Sequence, residues 1–151
     1  MDGVVIISLA GQTLKTWQTS LEQTHESAVW INRKRFADAR RQLGKTSTLV
    51  QGWDAHEAEP PNAVSRAAAS SILDGLEEAS LPPARLTPSA EGGIAISFVE
   101  GEKRAIIEVY NTGEIAAATY APEGEPDVWE FDGTGSALQA AINQIRVYLA
   151  A

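Results

Sequence analysis

Asp54, His56, Glu57 and Glu59 sit together between Trp53 and Pro60. Carboxylates beside an imidazole are the raw material for two chemistries. One is a hard-cation site built on oxygen ligands, and the other is an acid–base pair working near neutral pH. These four are not spaced like a known ligand set. The only other histidine, His25, lies among Glu22, Gln23 and Glu26 and reads as a surface residue. A histidine-based triad also needs a nucleophile and an orienting acid, and no motif nominates them. The chain has no cysteine, which excludes disulfides, thiolate catalysis and thiolate metal sites. Gly133-Thr134-Gly135-Ser136 precedes a helical pattern, and helix N-termini hold anions. The P-loop lysine is absent and the surroundings are acidic, so a strand-to-helix turn capped by Ser136 is the expectation. The residues thus nominate no catalytic group, no cofactor and no metal, and the reading leans against an enzyme.

For the loop itself the simpler reading is structural. Trp53, between Gly52 and Asp54, plugs the core, and Asp54 caps nearby backbone amides. The alternative keeps Trp53, Asp54, His56, Glu57 and Glu59 as a candidate functional loop.

The elements that must position this loop follow from periodicity. From Gln12 to Leu43 the apolar residues Leu14, Trp17, Leu21, Ala28, Phe36, Ala39 and Leu43 recur at helical spacing. This predicts one long helix, or a hairpin broken near Thr24, with Gly44 as its C-cap. The β-branched run Val4-Val5-Ile6-Ile7 reads as a short strand or an apolar lead-in. After a connector over residues 46–61, Asn62 or Ser65 caps a second helix with Val64, Ala68, Ile72, Leu76 and Ala79 inward. Its alanines and Gly75 suit close approach to a sheet, and Pro82-Pro83 stops it.

The period then changes to two. Ile94, Ile96 and Phe98 form one strand, and Ala105, Ile107 and Val109 a second. Residues 115–120 form a third and residues 128–131 a fourth. Short turns at residues 100–103 and 111–113 favour an antiparallel meander. Leu138, Ala141, Ile142, Ile145, Tyr148 and Leu149 then predict a closing helix. The expected fold is α+β. It is a four-stranded antiparallel meander with two helices on one face (α-β-β-β-β-α), preceded by a long helical arm. The arm is residues 1–50 and the core residues 51–151, and the core from residue 52 is expected to fold without the arm.

Charge divides the chain in the same place. Residues 1–50 hold seven basic against four acidic side chains, and residues 51–151 hold five against sixteen. A +3 arm is thus joined to a −11 body within a net charge of −8. The acidic body argues against nucleic acid, whose phosphates need cationic contacts. The basic arm residues lack the interleaved aromatics of single-strand binders. Leu14, Trp17, Leu21, Arg33, Phe36, Arg40 and Leu43 make a candidate interaction face, with an apolar stripe longer than the core needs. A second copy is the partner always available, so a homodimer through this helix is expected. No apolar run approaches the ~18 residues of a membrane span.

Two motifs in order carry a resemblance. Gly52, Trp53, Asp54, Ala58 and Pro60 come first, and Pro83, Pro88, Ser89, Glu91, Gly92, Gly93 and Phe98 follow. Over residues 50–120 the chain resembles a widespread group of small uncharacterised bacterial proteins. Their pattern runs from a Trp-Asp loop through a helix and a Pro/Gly-Gly linker into a strand meander. Ala55, His56 and Glu57 replace the group's small-aromatic-small segment. The resemblance implies an architecture and no activity.

The expected function is a non-enzymatic cytoplasmic protein–protein interaction module, such as an antitoxin-like, chaperone-like or regulatory accessory subunit. The alternatives are a small enzyme or ligand-binding domain using the Trp53–Glu59 loop, and a nucleic-acid-associated protein using the basic arm.

Overall fold

The computed structural model describes the backbone from Ala10 and the side chains from Gln23 onward. The strand expected at Val4–Ile7 lies outside the described residues. The side chains of Leu14, Trp17 and Leu21 also lie outside them.

Helix α1 spans Ala10–Lys45 without a break at Thr24. Among the described residues the chain divides into two compact units inside this helix, between Lys34 and Arg35. In the first unit, Trp30 and Ile31 are exposed, at 62% and 43%.

The second unit contains the sheet, and it begins at Arg35 rather than at residue 51. Phe36 and Ala39 are only 5% and 4% exposed inside its core, and Leu43 packs against that core. The last turns of α1 are therefore core material and not a detachable arm. Gly44 does not end the helix either. α1 runs to Lys45 and passes into a 3-10 turn, Thr46–Thr48. The hydroxyls of Thr46, Ser47 and Thr48 donate to the carbonyls of Leu43, Gly44 and Lys45. Side chains satisfy acceptors that a helix end otherwise leaves orphaned.

Helix α2 is Ala63–Glu78. Asn62 caps it as expected, its side chain accepting from the Ser65 amide at 2.9 Å. The helix ends before Pro82-Pro83. Ser80 takes a left-handed φ of +55°. The amides of Ser80 and Leu81 then bond back to the carbonyls of Glu77 and Leu76. Gly75 faces the closing helix, Gly135–Ala150, and not the sheet. A Cβ there would lie 2.9 Å from Leu138 Cδ2, so glycine sets how closely the two helices approach.

The sheet has five antiparallel strands, in the order β1 (Arg85–Ser89), β2 (Gly93–Glu100), β3 (Lys103–Tyr110), β4 (Ile115–Tyr120) and β5 (Asp127–Glu130). The meander is as expected, with one strand more. Strand β1 occupies the stretch expected to be a linker. It holds Pro88, and proline is tolerated on an edge strand because the missing N–H can face away from the neighbour. Gly93 tightens the β1–β2 corner, where an added Cβ would fall 2.0 Å from the Val109 carbonyl oxygen.

Helix α3, Gly135–Ala150, closes the chain. Thr134, not Ser136, holds its N-cap position, and Asp132 accepts from the Thr134 amide and hydroxyl. One sheet face carries Ile94, Ile96, Phe98, Ala105, Ile107 and Val109 into a core shared with Ile72, Leu73, Leu76, Ile142 and Ile145. The opposite face carries Ala95, Ile106, Glu108, Tyr110, Ala116 and Ala118, as the register requires.

Candidate functional site

The Trp53–Glu59 loop closes on itself. The Gly52 amide donates to the Ala58 carbonyl at 3.0 Å, and the Trp53 indole donates to the Glu59 carbonyl at 3.2 Å. Asp54 Oδ1 accepts from the amides of His56 at 2.9 Å and Ala58 at 3.3 Å. Asp54 therefore caps backbone, the job that acidic residues in tight loops commonly do. Partial desolvation pushes its carboxyl pKa up. The amide donors of His56 and Ala58, with smaller help from its own amide and from the His56 side chain, outweigh that and hold it below the usual carboxylate range.

Trp53 is half-buried and is not part of the core cluster, so it braces the loop rather than plugging the core. His56, Glu57 and Glu59 are exposed. Among the described residues, no group of three or more such side chains is placed to hold a metal ion.

Asn111 was legible only as a turn residue, yet it ties this loop to the body. Its side-chain amide donates to the Pro60 carbonyl at 3.0 Å. Its side-chain oxygen accepts from the Asn62 amide at 3.0 Å and from Ser65 Oγ at 2.8 Å. Its own carbonyl accepts from Asn62 Nδ2 at 3.0 Å. One residue of the β3–β4 turn thereby fixes the entry into α2.

The candidate interaction face is not one surface. Phe36 and Leu43 point into the core. Arg40 bridges to α2, with 2.8 Å to Asp74 Oδ1 and 2.9 Å to Glu77 Oε1. All three groups are well exposed, so these ion pairs add a few tenths of a kcal/mol up to about 1 kcal/mol each. Arg33 is exposed in the first unit.

A surface that the sequence pattern did not single out lies along β1. The C-terminal part of α1 and strand β1 enclose a groove of about 620 Å³. Ala39, Pro83 and Leu86 form its floor and are themselves almost fully buried, so its accessible wall is mainly polar, from Arg35, Asp38, Arg41, Gln42 and Arg85. Arg41 pairs with Asp38. Arg35 and Arg85 are exposed and form no ion pair among the described residues. Two uncommitted guanidinium groups thus flank the groove on a chain of net charge −8. Guanidinium is the side chain best shaped to grip carboxylates in pairs.

On the opposite sheet face, Glu108 is already occupied. Tyr110 Oη donates to it at 2.7 Å and Ser89 Oγ at 3.2 Å. The bond to Glu108, then burial, then the charges of Glu108, Glu91 and Glu114 raise the Tyr110 pKa to about 12.

Comparison with family models, with curated proteins and with solved structures returns no match.

Proposed function

We propose that the protein is a non-enzymatic protein–protein interaction module whose docking surface is the groove between α1 and β1. The observation that carries this reading is the pair Arg35 and Arg85, which hold no carboxylate of their own and flank one groove. A regulatory, chaperone-like or antitoxin-like subunit needs a shaped surface with charge left over to select its partner. The groove suits an extended segment that carries carboxylates at intervals between small side chains. The Trp53–Glu59 loop is a weaker base for a ligand-binding or enzymatic reading. Its indole N–H and the Asp54 carboxylate are spent on the loop's own backbone.

The test is fluorescence anisotropy of a labelled peptide of alternating glutamate and valine, titrated with wild-type protein and with R35A/R85A. Binding that weakens by about tenfold or more in the double variant, equivalent to ~1.4 kcal/mol, supports the reading. Absent binding, or binding indifferent to the two arginines, overturns it. A single-stranded oligonucleotide bound more tightly than the peptide, with a steep salt dependence, would also overturn it and assign the surface to nucleic acid.

A further inference from the structure

We infer that the groove receives the acidic β4–β5 segment of a second copy of this chain, so that copies join head to tail along their sheet edges. This rests on the groove being a protein-docking surface. The second observation is independent of the groove. Glu123, Glu125, Asp127, Glu130 and Asp132 follow one another along residues 121–132 with no basic residue among them. Every residue from Ala121 to Val128 is exposed, and Val128 is 61% exposed between Asp127 and the half-buried Trp129. An exposed segment carrying only carboxylates is the charge complement of a groove flanked by unpaired arginines.

The topology makes the contact intermolecular. β1 and β5 are the two outer strands of the sheet. Four strand spacings of about 4.8 Å put them roughly 19 Å apart, so the segment cannot reach the groove of its own chain. Two different surfaces meeting is a heterologous contact, which propagates or closes into a ring, rather than a two-fold pair. A symmetric β5–β5 contact would set carboxylates against carboxylates. A symmetric β1–β1 contact would meet Pro88, which has no N–H to give.

Sedimentation velocity of the full chain tests this at about 0.15 M salt, where a screening length of ~8 Å confines repulsion between the acidic bodies. Weight-average mass should rise progressively between about 10 µM and 1 mM, the range expected of a small polar contact. R35A/R85A and, separately, E123Q/E125Q/D127N should each remain monomeric, with unchanged thermal melts showing that both fold. Mixing the two variants should then give one-to-one dimers and nothing larger, because only one competent groove and one competent segment remain. A wild-type chain that stays monomeric at 1 mM (about the top of the range) overturns the inference, as does a dimer unaffected by either set of substitutions. If the glutamate–valine peptide still binds wild-type protein in an arginine-dependent way while the chain stays monomeric, self-docking fails and the groove reading survives. If neither occurs, both fail.

Discussion

The Trp53–Glu59 loop and the α1–β1 groove both gather charged side chains and put them to opposite uses. In the loop the polar groups turn inward. Asp54 and the Trp53 indole are bonded to backbone within a few residues, and Asn111 fastens the loop's exit. In the groove Arg35 and Arg85 turn outward and keep their donors. The loop looks more like chemistry on paper because its residues are adjacent in sequence. The groove has more to offer a partner because Arg35 and Arg85 are left without a carboxylate. A polar cluster is informative about function only after its internal hydrogen bonds have been counted.

That contrast can be broken in order of expected size. Phe36 connects the groove's helix to the core, so Phe36→Ala should cost about 3–5 kcal/mol, as large aromatic truncations in cores do. Chemical denaturation measures it. A loss below ~1 kcal/mol would mean that α1 does not belong to the core unit. By the same reasoning, a chain cut to residues 52–151 should melt less cooperatively than the full chain.

Asn111→Ala removes several bonds at once and leaves partners beneath the loop unsatisfied. About 1–3 kcal/mol is expected, with no effect on groove binding. Asp54→Ala should lower the melting temperature by less than Asn111→Ala does. Its folded-state pKa lies below the usual value, so its contribution exists above roughly pH 4 and is lost as the pH falls through the depressed pKa. The variant should therefore unfold in acid with a shallower dependence in that window, and an unchanged acid profile would count against the capping role.

Tyr110 sharpens the picture of the sheet face. Its raised pKa means that the stabilisation is present below pH ~10 and is lost as the pH climbs toward about 12. Ultraviolet titration should show one tyrosine ionising last, and Glu108→Gln should bring it back toward the ordinary value. The smallest effect belongs to the groove. R35A/R85A should leave stability within about 0.5 kcal/mol of wild type, because exposed side chains without partners hold little together.

Much of the fold was legible because burial imposes a period. Ile94, Ile96 and Phe98 alternate with smaller residues, and Ile107 and Val109 repeat the period, so β2 and β3 could be read directly and the short turns carried the meander on to β4 and β5. Strand β1 was hidden because Arg85-Leu86-Thr87-Pro88-Ser89 is short, half-polar and carries a proline, all of which resemble a linker. Phe36 and Leu43 were read as a free stripe because periodicity says which side chains share a face and not what covers that face. Asn111 could not be identified as a hub because Asn62 lies 49 positions away. The groove was invisible for the same reason, since Arg35 and Arg85 meet only through tertiary packing.

The most direct test is to map the docking surface itself. A synthetic peptide with the sequence of residues 121–132 can be titrated into isotopically labelled full-length protein while amide shifts are followed by NMR. The account predicts shifts concentrated at residues 35–42 and 83–88, with residues 52–59 unmoved. Shifts centred on residues 52–59, or none anywhere, would contradict it.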